Sequence, residues 1–265
     1  MRSPFVVDAH AHVGLLGRLP CREMSLAAHL ERMDHLGIQF TICSDQEALS
    51  EGGRTGLDTV RRTYERSDGR IHGLGIFDPR SSDRCLGELR DTLGWQGLRG
   101  IKIHPTMQDT PAGDRTYEPV WQFAEEHDLA ILAHTWSRSS HNPAQALSTP
   151  EQFEPFLRRF PEVRFVLGHA GGRGEGRIEA VRLARNYPNV YLDFAGDIFC
   201  RRLVETLVAS VAAEKVLFGS DFPWTSPEAH LTRVLLAPID EASKARILRH
   251  NAMDVFRIEA EACSQ

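Results

Sequence analysis

Eight times along these 265 residues a short apolar run gives way to a stretch with helical periodicity, and this alternation limits the fold more than anything else in the chain. The apolar runs begin at Phe5, Ile38, Ile71, Leu98, Leu129, Val163, Asn189 and Lys215. They are rich in Val, Ile, Leu and Phe, as strands buried on both faces are. Between them lie helix signals. Ser25 is placed to cap a helix that runs to about Leu36, with Leu26, Leu30 and Met33 on one face and Gly37 at its end. Thr149-Pro150-Glu151 and Ser226-Pro227-Glu228 each set a capping residue before a proline in the first turn. Ser44 to Gly56 reads as a polar, glycine-rich loop, and a helix from Glu241 to about Arg257 closes the chain.

Strict alternation implies a parallel sheet with right-handed crossovers. Eight units in about 250 residues match an α/β fold of the closed (β/α)8 TIM-barrel kind, here one domain over residues 1–265. A doubly wound open sheet is the rival. No Gly-x-Gly-x-x-Gly follows a strand, which weakens the nucleotide-binding form of that rival.

The unusual polar residues sort onto one end of this map. Asp8-Ala9-His10-Ala11-His12 ends the first strand, and alternation points both histidines the same way. Lys102 and His104 end the fourth strand, His134 the fifth and His169 the sixth, and Asp221 follows the eighth. In a barrel these C-terminal ends converge on the mouth, where active sites sit. Neutral imidazoles and a carboxylate are ligands for a divalent ion. Asp8 is placed to orient an imidazole. Trp136, Arg173 and Trp224 follow strands 5, 6 and 8 and are expected to line a substrate pocket.

Composition excludes other classes. A net charge of −5 gives no basic stripe for nucleic acid. No run approaches the roughly 18 apolar residues of a membrane helix, and no signal peptide is evident, so a cytoplasmic protein is expected. Five scattered cysteines, Cys21, Cys43, Cys85, Cys200 and Cys263, contain no Cys-x-x-Cys pair and predict neither a disulfide framework nor a thiolate metal site.

The set Asp-x-His-x-His, Gly-Ile-Lys102-Ile-His104-Pro, Leu-Ala-His134-Thr, Leu-Gly-His169-Ala-Gly-Gly and Phe-Gly-Ser-Asp221-Phe-Pro-Trp224 resembles the amidohydrolase-related branch of the amidohydrolase superfamily. The tail from Ile247 to Ala252 resembles that branch's closing helix. The resemblance implies a metal-dependent TIM barrel in which His10, His12 and His134 hold a divalent ion, with Asp221 a fourth ligand and general base. The expected ion is zinc, with manganese the alternative, and one ion is favoured over two. His169 would hold a second ion or act in proton transfer. Lys102 has three readings: a carboxylated bridge between two ions, an ammonium that binds a substrate carboxylate, or a structural ion pair. His104 could face the site beside it.

Two reactions follow from the resemblance. The first expectation is hydrolysis of a lactone, amide or ester of a small molecule by metal-activated water. The second is non-oxidative decarboxylation of a small aromatic or unsaturated acid. The compactness of the chain favours the first, since decarboxylases of this branch tend to be longer. A deoxyribonuclease of related barrel type is disfavoured by Lys102 and the acidic charge. A homodimer is compatible with the sequence, and nothing in it demands one.

Overall fold

The structure is a computed structural model that describes residues 5–14 and 25–259. Eight parallel strands pair in sequence order. They are β1 (Val6–Val13), β2 (Ile38–Asp45), β3 (Ile71–Ile76), β4 (Leu98–Ile103), β5 (Ala130–His134), β6 (Phe165–Gly168), β7 (Val190–Asp193) and β8 (Val216–Leu217). Helices α1 (Leu26–Leu36), α2 (Gln46–Glu51), α3 (Leu57–Arg66), α4 (Ser82–Asp91), α5 (Glu118–Glu126), α6 (Glu154–Arg159), α7 (Gly174–Asn186) and α8 (Leu203–Val211) fill the crossovers. Helices α9 (Pro227–Leu235), α10 (Glu241–Ala245) and α11 (Asn251–Phe256) follow β8. The expected TIM barrel is what the chain forms. Among the described residues no helix is long and apolar enough to cross a membrane.

Period-two alternation builds the core in two layers. Leu132, Val166 and Leu217 fill the barrel interior with Val7, Ile42 and Leu74. Their neighbours Ile131, Phe165 and Leu167 point outward under the helices. Strand β1 breaks the pattern where it matters. Its pairing with β2 slips between Asp8 and Ala11. Val7 and Ala9 pack inside and Ala11 outside, so the slip brings both His10 and His12 to the mouth.

The barrel closes between β1 and β8 by individual bonds rather than a ladder. Ala9 N donates to Phe218 O at 2.9 Å, and Ser220 N and Asp221 N both donate to His10 O, at 3.2 and 2.7 Å. These bonds explain why β8 is shorter than the expected Lys215 to Gly219: its last amides leave the sheet. Phe218 N donates instead to Ile247 O at 2.9 Å, a carbonyl within the π-helical turn Arg246–His250 between α10 and α11. Asn251 then ties the closing helix to the barrel, its Nδ2 donating to Ala213 O and Val216 O, each at 2.7 Å.

Two local expectations are corrected. The loop over Ser44 to Gly56 contains α2, capped by the Asp45 side chain on Glu47 N. Thr149 gives no side-chain cap: Pro150–Phe153 is a 3-10 turn, and the α-helix starts only at Glu154. Cys43 and Cys85 are buried free thiols and Cys200 is a half-buried one; Cys21 and Cys263 lie outside the described residues.

Candidate functional site

The strand ends enclose a cavity of 610 Å³ at the mouth of the barrel. Its floor is a cluster of buried nitrogen and oxygen atoms. His10, His12 and Asp221 each bring one ligand atom within 4.8 Å of the others. His12 Nε2 is 3.0 Å from Asp221 Oδ1, and His10 Nε2 is 3.8 Å from the same oxygen. The remote ring nitrogens are also engaged: His10 Nδ1 meets Asp193 Oδ2 at 3.0 Å, and His12 Nδ1 meets Ser44 Oγ at 3.1 Å. Metal-binding histidines characteristically have their outer nitrogen held in this way.

Electrostatics agree with this geometry. Burial pushes both imidazoles below their ordinary pKa, and the neighbouring Lys102 and His169 add to the effect. They are therefore neutral, as ligands must be. Burial pushes the Asp221 carboxyl upward, but the effects led by the His12 hydrogen bond outweigh it and hold it below the carboxylate range. Two uncharged nitrogens and an ionised oxygen, buried and converging, fit a divalent ion. A second grouping, His10, His169 and Asp193, shares His10 with the first, and its Asp193 holds His10 Nδ1 and the backbone N–H of His169.

Lys102 is 1% exposed on the interior face of β4, and its Nζ lies 2.8 Å from His10 Nε2. Burial lowers its pKa to about 8 against the pull of Asp221 and Asp193. His169 stands at the end of β6 with φ 61°, in the left-handed region. Its ring centroid is 4.9 Å from that of His10, and its Nδ1 donates to Ala195 O at 2.9 Å. Asp221 also has a left-handed backbone, φ 60°. Side chains rarely adopt this conformation, and it clusters at functional sites.

His134 does not join the three-ligand group. Its Nε2 is 2.9 Å from Gln145 Oε1. Its ring stacks on His104, and Trp136 lies parallel beyond it at 6.1 Å between centroids, with 7° between planes. The three rings form one wall of the cavity. Trp224 stands on the rim and donates from Nε1 to Gln46 Oε1 at 3.2 Å. Arg173 does not line the cavity: Ala170, Gly171 and Gly172, all at positive φ, turn the chain away, and Arg173 reaches Asp197 O at 3.0 Å instead. Nor does Asp8 orient an imidazole. Its carboxylate accepts from His10 N, Ser220 N and Ser220 Oγ, stitching β1 to the segment after β8.

Sequence reasoning missed Asp193, Ser44 and Gln145. Asp193 ends a strand, so the rule that singles out the other residues applies to it as well. Gln145 sits on the 3-10 turn Pro143–Ser148, inside a loop that carries no motif.

Comparison with known proteins places this geometry among related ones. The amidohydrolase family model matches residues 7–258. A gamma-resorcylate decarboxylase of Polaromonas sp. strain JS666 is 19% identical over 85% of each chain. The crystal structure of 2,6-dihydroxybenzoate decarboxylase from Rhizobium superimposes with a TM-score of 0.73 at 17% identity, over 96% of this chain and 99% of that one. The structure of 5-carboxyvanillate decarboxylase from Novosphingobium aromaticivorans, complexed with manganese and 4-hydroxy-3-methoxy-5-nitrobenzoic acid, gives 0.78 at 12% identity, over 96% of each chain. These similarities overturn the ranking of hydrolysis above decarboxylation. Compactness was the wrong guide: the chain spans most of the length of these decarboxylases, and the length of the mouth loops does not select the bond that breaks.

Proposed function

This chain belongs to the amidohydrolase family, and from that premise we propose that it is a metal-dependent, non-oxidative decarboxylase of a small aromatic carboxylic acid. The observation that carries the reading is Lys102. A fully buried ammonium is costly unless an anion compensates it. Among the described residues its hydrogen-bond partner is a neutral imidazole, His10, and the carboxylates of Asp221 and Asp193 act on it only at longer range. A substrate carboxylate drawn to the cavity floor would supply the counter-charge. The aromatic wall of His104, His134 and Trp136 suits a planar ring above it.

His10, His12 and Asp221 would hold the ion, and His134, on the same cavity wall, would be a fourth candidate if its Nε2 left Gln145. When bound, a divalent ion neutralises negative charge that builds on the oxygens of the substrate. Manganese or zinc suits this donor set, and manganese is the ion in the Novosphingobium structure. One ion is favoured because the two groups among the described residues share His10, and Asp193 of the second already holds the Nδ1 of that ring.

In the reaction the bond between ring carbon and carboxyl carbon breaks, carbon dioxide leaves, and the electron pair stays on the ring carbon. A proton must reach that carbon. Water is its source, and two groups lining the cavity could relay it after taking it up, His169 at its bare Nε2 and Asp221 at its carboxylate. Trp136 and Trp224 line the cavity beside the reacting carbon.

The test is incubation of the protein, loaded with manganese or zinc, with hydroxylated benzoates in deuterated water. The expected result is release of carbon dioxide and one deuterium at the vacated carbon. No carbon dioxide from any acid, with turnover of lactones or esters instead, would overturn the reading.

A further inference from the structure

We infer that Asp193 is a positioning residue that sets the imidazole tautomers of His10 and His169 together, and so governs how tightly the site holds its ion. The inference rests on the reading of His10 as a ligand.

Asp193 ends β7 and is fully buried. Its two oxygens face different partners. Oδ2 lies 3.0 Å from His10 Nδ1, while Oδ1 accepts from His169 N at 2.9 Å and from Ala195 N at 3.0 Å. An ionised carboxylate only accepts, so His10 must carry its hydrogen on Nδ1. The opposite side of the ring gives the same answer. Lys102 Nζ lies 2.8 Å from His10 Nε2, and an ammonium only donates, so Nε2 offers a lone pair. His10 is therefore locked in the form that can ligate through Nε2.

The same carboxylate reaches His169 by two routes. Oδ1 holds the backbone N–H of His169, in the left-handed region at φ 61°. It also holds the amide of Ala195, whose carbonyl accepts the Nδ1 hydrogen of His169 at 2.9 Å. His169 thus also presents a bare Nε2. The close fit continues at Gly196, where a Cβ would lie 2.7 Å from His169 Nδ1. One buried side chain therefore ties β1, β6 and β7 into a single arrangement of two imidazoles.

Asp193→Asn separates these duties. The amide oxygen can keep both backbone N–H groups, while the NH2 group turns to His10 Nδ1. A donor there drives the ring hydrogen to Nε2, against the donors of Lys102 and out of ligating form. His169 keeps its tautomer. A wrong tautomer behind an intact geometry is the known effect of removing the orienting carboxylate from a catalytic histidine.

The test combines nitrogen NMR of the histidine rings in metal-free protein with zinc affinity from chelator competition. In the wild type both His10 and His169 are expected as Nδ1–H tautomers. In Asp193→Asn only His10 switches, and zinc affinity falls roughly 10- to 100-fold. Affinity within twofold of wild type, or a wild-type His10 protonated on Nε2, would overturn the inference. Should Asp193→Asn fail to fold, Lys102→Met decides: His10 keeps its Nδ1 hydrogen if Asp193 sets it and loses it if Lys102 does. A wild type that binds no zinc or manganese would instead sink the metal reading itself, a result distinct from equal binding by wild type and variant.

Discussion

The rings of His104 and His134 lie face to face, centroids 3.9 Å apart and planes 7° apart. Burial pushes both below the ordinary histidine pKa, so the stack is between neutral rings. Such stacking contributes about 0.5–1.5 kcal/mol beyond the area it buries. His104 would then act on substrate by steadying its neighbour. His104→Ala is expected to lower kcat/KM by roughly tenfold at most while metal content stays at the wild-type level. Steady-state kinetics beside elemental analysis measures both, and loss of metal in His104→Ala would show that His104 belongs to the ligand set.

Metal content separates ligands from bystanders. Purified protein is expected to hold about one equivalent of manganese or zinc, at the group of His10, His12 and Asp221. His12→Ala and Asp221→Asn each remove a member of that group and should bind little. A chelator should abolish turnover in the wild type, and added ion should restore it. Retention of a full equivalent by either variant would move the ion elsewhere.

His169 lines the cavity outside the three-ligand group, with its ring 4.9 Å from that of His10. His169→Gln should keep the ion and lower kcat by roughly 10²- to 10⁴-fold, the usual contribution of a proton-transfer group. An unchanged kcat would leave Asp221 as the proton carrier.

Lys102→Met replaces the buried ammonium with an apolar chain of similar length. A charge-assisted contact to a carboxylate is worth about 1.5–3 kcal/mol. A rise in KM of roughly 10- to 100-fold with metal retained is therefore expected, read by steady-state kinetics beside elemental analysis. Loss of the ion with Lys102 would instead favour the carboxylated bridge.

Acid stability has an identifiable contributor away from the site. Glu154, at the start of α6, bonds Arg182 on α7, Tyr187 and Arg158. The Arg182 bond leads in holding its carboxyl down to about 2, against an ordinary value of 4.5. A depressed folded pKa adds stability above the unfolded value and loses it as pH falls through the folded one. The stabilisation is thus complete above about pH 4.5 and fades toward pH 2. Glu154→Gln should lower Tm by roughly 2–4 °C at pH 7, with the difference vanishing at the acid end. A constant Tm gap across that range would refute the assignment.

Residues that both end a strand and sit in a motif were legible in the sequence: His10, His12, Lys102 and Asp221 all occupy the expected mouth. Period two carried that inference, although β1 reaches the result through a register slip that no periodicity reveals. Asp193 ends its strand as the others do, but Tyr191-Leu192-Asp193-Phe194 carries no motif, so strand position alone did not set it apart. Arg173 misled for a related reason: distance along the chain from β6 says nothing of the turn that Ala170 to Gly172 impose. The Asn251-Ala252 pair in the tail finds its physical meaning only in the two carbonyls that Asn251 holds.

The seam between β1 and β8 is sealed by the backbone carbonyl of His10, which receives the amides of Ser220 and Asp221. Fold closure and ligand placement therefore depend on the same few atoms. Breathing of the barrel at this seam would pull Asp221 away from His10, so heat inactivation should begin here, before the helical shell loosens. Binding of the ion would act as a clasp across the seam, lengthening the active lifetime of the enzyme on the shelf as well as enabling its chemistry.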